Sequence, residues 1–293
     1  MTSGTPAQEG EQLQAWRLVA LAAAPAAASA IVLAVAQVGR GSWIQQALAA
    51  SLATALGLVG ARLSSRGGPM AASAVLGVSL AVLAGTLLTH ADAPRRWLDL
   101  GAVRLYAAPL VLPALVLCCA FMRRTGGSRG GFADAALLAA GGGLALQPDA
   151  SQLLALSVAA AVTLWSERGT QGRSTLTVSC LALLTAWTFT RPDPLQPVPH
   201  VEGVFALALA HSAAAGAAVV SASAMFVAGL WARVDRSIAA YYAALFACSV
   251  AGLTPAPLIG YGAGPWLGYG LFVALAPGCD DATRSSRRRS AAA

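Results

Sequence analysis

Two ionisable residues stand close together in the segment PVPHVEGVFA, just before a long apolar run. His200 and Glu202 are separated by one residue, and the prolines ahead of them favour an extended lead-in. Desolvation raises the pKa of a partly buried Glu towards the range useful to a general base, and His200 is near enough to tune it. The alternative interpretation is an acidic residue favoured by the positive end of a helix dipole.

Two arginines adjoin a tryptophan in the segment PRRWLDLG. Arg95 and Arg96 supply charge and hydrogen-bond donors that suit a phosphate on a lipid head group, and Trp97 suits the membrane surface. Tryptophan beside arginine is also a common interfacial anchor. The segment therefore predicts either a phosphate site or an anchor.

An acidic residue precedes another apolar run in the segment QPDASQ. Asp149 and Gln152 have the spacing of a capping box, which satisfies free backbone amides at the start of a helix. Pro148 fixes the entry turn. Contact with a substrate is the other interpretation. The cluster around Tyr261 in LIGYGAGP indicates a tightly turned, closely packed backbone.

The composition is that of a membrane protein. Of the 293 residues, 57% are hydrophobic and 11% are charged, whereas soluble domains have about 45–50% and about 25%. So few charges cannot cover a soluble fold of this length, which excludes a soluble enzyme. All 19 basic residues are arginine, so mechanisms that need a catalytic lysine are excluded as well.

Ten apolar runs approach the length of about 20 residues that a membrane-spanning helix needs. The sequence therefore predicts an all-α, polytopic integral membrane protein with about ten transmembrane helices. Residues 17–278 would form one membrane domain between cytoplasmic tails, 1–16 and 279–293. The fifth run is short and contains three consecutive glycines, so a break or tilt is expected there. The runs are 17–38, 44–62, 69–89, 105–122, 132–146, 150–166, 174–190, 203–231, 237–254 and 264–278.

The arginine distribution predicts the orientation, because cytoplasmic loops of membrane proteins carry an excess of basic residues. With the N-terminus inside, 14 arginines fall on the inner side and 5 on the outer side. Both termini are therefore predicted to be cytoplasmic, and the basic tail RSSRRRS is expected to contact anionic membrane lipids. This topology puts every segment with chemical interest on the outer face.

The apolar runs themselves offer little chemistry. Charged residues within membrane helices usually mark ion or proton pathways, and we expect no Asp, Glu or Arg in the helix interiors. Only His211 lies well inside a run, where a packing role is favoured over an ion-coupled transporter. The five cysteines lack the spacing of a disulfide framework or zinc site, so we expect buried thiols and no metal site.

Four of these segments, in this order, resemble motifs of the SEDS family (shape, elongation, division and sporulation), the FtsW/RodA/SpoVE peptidoglycan polymerases. PRRWLDLGAVRLY resembles the family's Arg-Trp-Ile-x-Leu-Gly segment, and LQPDASQ resembles its Gln-Pro-Asp-Leu-Gly-Thr turn. PHVEGVFALALAHSAAAGA resembles the His-Thr-Asp-Phe-Ile-Phe-Ala segment, and PLIGYGAGPWLGYGL resembles the Pro-Phe-x-Ser-Tyr-Gly-Gly-Ser ending. The resemblance covers residues 90–278. It implies a ten-helix fold in the bacterial cytoplasmic (inner) membrane, with both termini in the cytoplasm.

Three departures from the family pattern bear on activity. The family's catalytic aspartate corresponds to Glu202, which moves the carboxylate by one methylene. The resemblance implies that a Glu and a Lys of the family's fourth helix correspond to Pro109 and Leu112, so both charges are lost. The long outer loop ahead of the catalytic residue is shortened to TRPDPLQPVPHVE, and such loops carry substrate contacts.

The resemblance implies two competing functions. In the first, a glycosyltransferase, Glu202 deprotonates a sugar hydroxyl that attacks a donor linked to undecaprenyl pyrophosphate, as in lipid II. His200 would orient or tune Glu202, and Arg95 and Arg96 would neutralise the pyrophosphate. In the second, a non-catalytic relative binds a lipid-linked sugar intermediate or a partner in cell division or cell-shape control.

The remaining expectations concern ligands and partners. No cofactor is predicted, with a divalent cation left open, and no nucleic acid is expected to bind. Partners implied by the resemblance are the lipid-linked sugar, membrane lipids and a single-pass transpeptidase. The expected substrate-binding residues are Arg95, Arg96, Trp97, Asp149, Gln152, Arg191 and Tyr261.

Overall fold

The computed structural model describes the backbone of residues 6–64, 68–88, 95–99, 101, 104–125, 128–165, 171–192 and 198–292. This part of the chain forms twelve helices and one two-stranded hairpin. The first elements are α1 (Pro6–Leu21), α2 (Ala23–Val35), α3 (Arg40–Ser64), α4 (Pro69–Leu87), β1 (Trp97–Asp99) and β2 (Arg104–Tyr106). The helices that follow are α5 (Ala107–Arg124), α6 (Arg129–Leu146), α7 (Ala150–Trp165), α8 (Gln171–Phe189), α9 (Val204–His211), α10 (Ala213–Arg233), α11 (Arg236–Val250) and α12 (Ala263–Ala292).

Each of the ten predicted apolar runs contains helix, and the all-α class is confirmed. Two shorter apolar helices, α7 and α11, have 16 and 15 residues. The total number of spans and their orientation stay predictions. Within the described residues, five segments are long and apolar enough to cross a membrane by length and composition, namely Glu9–Val35, Arg40–Leu63, Pro69–Leu87, Ala107–Arg124 and Ala213–Arg233.

Some helix boundaries differ from the prediction. Helix α1 begins at Pro6 and α12 continues to Ala292, so both helices extend into the predicted tails. Helix α6 runs without interruption through its three glycines, so the break expected in the fifth run is wrong. A side chain added at Gly141 would lie 2.5 Å from Leu181 and 3.5 Å from Leu153. This glycine therefore serves close helix packing and does not break the helix.

The eighth predicted run, residues 203–231, is divided at Ser212. The backbone there is extended, with φ −167° and ψ 154°, and the Ser212 hydroxyl accepts a hydrogen bond from the Ala215 amide at 3.1 Å. Ser212 is thus the N-cap of α10, a role that serine favours strongly. The prediction of one long helix is wrong. His211 becomes the exposed last residue of α9, so the prediction that it lies well inside a span, in a packing role, is wrong too.

A short hairpin leads into α5, although no strand was predicted. Trp97 pairs with Tyr106 and Asp99 with Arg104, and the last two side chains form an exposed ion pair at 3.3 Å. Gly101 in the turn has a φ of +76°, which glycine adopts without steric cost. Because β2 ends where α5 begins, the hairpin fixes the start of that helix.

Helix α12 packs closely against both α3 and α5 through glycines. A side chain added at Gly270 would lie 2.5 Å from the Ala53 carbonyl oxygen of α3. One added at Gly268 would overlap the Pro109 carbonyl oxygen of α5. That carbonyl lacks its usual helical donor because Pro113 stands four residues later. Helices in lipid associate through close packing of small residues, so these glycines specify the three-helix core.

A buried ion cluster joins α5, α6 and α8 at the end opposite the hairpin. Asp134 of α6 is 4% exposed, and its carboxylate pairs with Arg123 and, at 2.7 Å, with Arg173. Arg123 also donates to the Ser174 hydroxyl at 3.0 Å. The prediction that no helix interior holds a charged residue is therefore wrong. Mutual pairing explains how Asp134 and Arg123 are accommodated away from water, whereas Arg173 is half exposed.

Large apolar side chains point outward from the helices. Leu52 of α3 is 59% exposed and Leu183 of α8 is 70% exposed, which suits contact with lipid hydrocarbon. Trp187 and Trp231 are about half exposed near the ends of α8 and α10. Tryptophans at such positions are typical of the boundary between hydrocarbon and head groups.

We predict that Gly268→Ala destabilises the protein by about 1–3 kcal/mol, the usual cost of overpacking a tight contact. The matched control is Gly85→Ala in α4, because a side chain added there meets nothing within 4 Å. The control should be neutral or stabilising by about 0.5–1 kcal/mol, since alanine favours helix over glycine. Unfolding by SDS in mixed micelles measures both, and equal effects would contradict the proposed glycine contact.

Candidate functional site

Arg96 lies beneath the turn that joins α6 to α7. Its side chain is buried, its Nε donates to the Gln147 carbonyl oxygen at 3.2 Å, and its terminal nitrogen donates to the Pro148 carbonyl. Arg95, by contrast, is exposed. The two arginines predicted to bind phosphate therefore have different surroundings, and Arg96 bonds the backbone of residues 147 and 148.

Gln147 ties the same turn to α4. Its side-chain amide donates to the Thr86 hydroxyl at 2.7 Å and to the Leu83 carbonyl at 3.0 Å. The hydrogen bonds of Arg96 and Gln147 therefore hold this turn against two other parts of the protein, the hairpin and α4.

Asp149 caps α7, as the capping interpretation predicts. It is 2% exposed, and its carboxylate accepts from the backbone amide of Gln152 at 3.3 Å and from the Tyr106 hydroxyl at 2.6 Å. Burial, together with the negative charge of Asp149, raises the pKa of Tyr106 well above its ordinary value, so this hydroxyl stays a donor. The Gln152 side chain accepts from Tyr241 at 2.8 Å, a partner outside the predicted capping box.

A small cavity lies beside the hydrogen-bonded side chains of Tyr106, Gln152 and Tyr241. Its volume is about 10 Å³, close to the minimum that holds one water molecule. Pro109 is in its wall, and Leu112 is fully buried in the same helix, so apolar groups fill both positions at which the resemblance implies a charge. Glu202 and His200 do not line this cavity. Its walls are formed by Tyr106, Pro109, Pro113, Gln152, Tyr241, Tyr242, Leu245, Pro255, Pro257 and Pro265.

Glu202 lies on a turn ahead of α9. Its side chain is partly exposed, and one carboxylate oxygen accepts from the Val198 amide at 2.8 Å. The carbonyl of His200 accepts from the Tyr261 amide at 3.2 Å, and the two rings meet edge to face at 6.1 Å. The turn therefore rests against the segment that precedes α12. The predicted general-base role of Glu202 stays a prediction.

The remaining predicted residues lie near the turn before α7 or near the turn that carries Glu202. Trp97 is half-buried and its ring lies 5.4 Å from that of Tyr106. Arg191 donates to the Ala145 carbonyl at 2.9 Å and lies over the Trp187 ring. The Tyr261 hydroxyl donates to Gln45 of α3.

The structure thus sorts the predicted residues into two groups. Arg96, Asp149 and Gln152 all make hydrogen bonds at the turn before α7. His200 lies on the same turn as Glu202, and the Tyr261 amide donates to the His200 carbonyl. Sequence analysis missed Tyr106 and Gln147, although both stand inside motifs that carried the family resemblance. Within the described side chains, no group of three His, Cys, Asp or Glu could hold a metal ion.

Helix order, long apolar helices and outward apolar faces define a multi-pass membrane protein with a SEDS-like fold. The chain is similar to the rod shape determining protein RodA of Thermus thermophilus. The two share 23% identity over 91% of this chain and 96% of that chain, with a TM-score of 0.65. A mutant of the same protein gives 22% identity over 91% and 97% of the chains, with a TM-score of 0.65.

A third solved structure is described as the structural coordination of polymerization and crosslinking by a peptidoglycan synthase complex. Its chain is 21% identical over 90% of this chain and 96% of that chain, with a TM-score of 0.64. No protein-family model and no curated protein matches the sequence. The structural likeness supports the SEDS-like, all-α fold that the sequence motifs predicted, whereas the number of spans and the orientation of the termini stay predictions.

We predict unequal effects of removing two neighbouring hydroxyls. Tyr241→Phe leaves the buried Gln152 side chain without its donor and should cost about 1–3 kcal/mol. The Tyr242 hydroxyl has no hydrogen-bond partner among the described residues, so Tyr242→Phe should cost less than about 0.5 kcal/mol or stabilise. SDS unfolding measures both variants. A larger cost for Tyr242→Phe would contradict this description of the cavity wall.

Proposed function

We propose that the protein is a SEDS-like glycosyltransferase of the bacterial cytoplasmic membrane that acts on a lipid-linked sugar at the outer face. Glu202 is the general base. It takes the proton from an acceptor hydroxyl, whose oxygen attacks the anomeric carbon of the donor, and undecaprenyl pyrophosphate leaves. The likeness to RodA supports a cell-envelope role, and the likeness to the peptidoglycan synthase complex supports sugar polymerisation.

The accessibility of Glu202 is the observation that carries this proposal. Three described carboxylates belong to the segments near the hairpin end of the helices. Asp149 is sealed beneath Tyr106, and Asp99 is exposed on the hairpin but pairs with Arg104. Glu202 is partly exposed and stands on a turn rather than inside the bundle, so a substrate can reach it. Exposed Arg95 is the better candidate for a pyrophosphate contact, because Arg96 is buried against the backbone.

A specific observation favours a second candidate, a non-catalytic protein that binds a lipid-linked intermediate. The side chains of Arg96, Asp149 and Gln152 all make internal hydrogen bonds, and the adjoining cavity has room for about one water. Apolar Pro109 and Leu112 occupy positions that the resemblance assigns to charges. These features fit a scaffold in cell division or cell-shape control.

We predict that purified protein polymerises a labelled lipid-linked disaccharide and that Glu202→Gln lowers the rate at least about 100-fold, since it removes the proton acceptor. Glu202→Asp keeps a carboxylate but moves it by one methylene, so the rate should fall by up to about 100-fold and stay above that of Glu202→Gln. The matched control is Asp99→Asn, an exposed acid near the hairpin end. Binding without turnover in the wild type would favour the scaffold.

The family resemblance also brings a partner into the proposal. A single-pass transpeptidase would pack against the membrane helices, and the comparison with a complex of polymerization and crosslinking supports a partner of this type. The small residues of 210–224, on either side of the Ser212 break, are the expected contact. Site-specific crosslinking along α10 in native membranes tests this contact.

The proposed orientation predicts opposite labelling at the two ends of the helices. Thr190 and Ser128 are both exposed, at the end of α8 and the start of α6. A cysteine at Thr190 should react with a membrane-impermeant maleimide in intact cells, whereas one at Ser128 should react only after lysis. Wild-type protein gives the background from the five native cysteines. The reverse pattern would overturn the orientation.

A further inference from the structure

Gln46 is a buried amide whose hydrogen bonds reach helix α2 and the segment before α12. It lies on α3 and is 6% exposed. Its Nε2 donates to the Ser29 hydroxyl of α2 at 3.0 Å and to the Gly260 carbonyl at 3.3 Å. Its Oε1 accepts from the Gly262 amide at 3.3 Å. Both the donor and the acceptor groups of this side chain are therefore used.

The segment held by Gln46 in turn supports the turn that carries Glu202. The Tyr261 amide, between the two glycines, donates to the His200 carbonyl at 3.2 Å. A side chain added at Gly260 would lie 2.5 Å from the Val201 carbonyl oxygen, so the two backbones are in close contact. Gln46 therefore acts on the turn of Glu202 indirectly. It bonds the backbone of residues 260–262, and this backbone contacts residues 200 and 201.

We propose that Gln46 is a positioning residue for Glu202. The inference rests on the proposed function, in which Glu202 is the base. The amide bonds both Gly260 and Gly262, the Tyr261 amide between them holds the His200 carbonyl, and Gly260 lies close against the Val201 carbonyl. Misplacement of a reacting group by about 1 Å can cost about 100-fold in rate, so a support of this kind affects catalysis without touching substrate.

Two features of the amide make glutamine specific for this position. A leucine of similar size offers neither a donor nor an acceptor, and a glutamate keeps only the acceptor for Gly262. The neighbouring Gln45 is exposed and bonds the Tyr261 hydroxyl at the surface. A buried hydrogen bond is costly to leave unmade, whereas an exposed one is replaced by water.

Hydrogen exchange tests the connection directly, because the Val198 amide donates to Glu202 and so reports the position of its carboxylate. Gln46→Leu should speed exchange of the Tyr261, Gly262 and Val198 amides by about tenfold. The matched control is Ser29→Ala, which removes only the bond to α2 and should change these rates less than twofold. Unchanged exchange at Val198 would overturn the proposal.

Steady-state kinetics provides a second test of the proposed role of Gln46. Gln46→Leu should lower kcat about 10-fold to 100-fold with KM within about twofold, a division that general loss of stability does not produce. An unchanged kcat would overturn the proposal. If Gln46→Leu does not fold, Gln46→Glu replaces it in both tests. The Gly262 amide should then stay protected from exchange, whereas the Val198 amide should exchange faster than in the wild type. If the wild type transfers no sugar, the proposed function fails, and exchange at Val198 alone decides whether Gln46 positions Glu202.

Discussion

The close approach of α12 to α3 and α5 is the contact on which the rest of the structure depends. Glycines on α12 bring its backbone against the carbonyls of Ala53 and Pro109, leaving no space for a side chain. The spacing of the three helices is therefore fixed. Since α3 carries Gln46, α5 begins just after Tyr106, and Tyr261 precedes α12, the same contact sets the positions of both groups of polar residues.

The two groups use polar chemistry in opposite ways. Around Asp149, hydrogen bonds within the protein hold the turn before α7, although Gln147 Oε1 has no partner among the described residues. Around Glu202, the backbone is fixed while the carboxylate stays accessible. A site needs both properties, a rigid support and an exposed reactive group, and this division favours Glu202 over Asp149 as the reactive acid.

Sequence predicted the features that depend on local pattern. Apolar run length gave the helices, and the spacing of Asp149 and Gln152 gave the cap of α7. Non-local features were missed, because nothing near Arg96 in the sequence shows that it would bond carbonyls of residues 147 and 148. The pairing of Asp134 with arginines on α5 and α8 is likewise visible only in three dimensions. The Ser212 break had a local signal, a serine, but a continuous apolar run concealed it.

That break also separates the candidate base from the helix of membrane-spanning length. Helix α10 has 21 residues, a length of about 31 Å, and this alone matches a hydrocarbon thickness of about 30 Å. The eight residues of α9 are too few to cross it, and a side chain added at Gly216 of α10 would lie 3.1 Å from Leu209 of α9. Helix α9 therefore folds back beside the first turns of α10, and the position of Glu202 depends on the direction of this short helix. In an unbroken helix, Glu202 would instead follow the axis of α10.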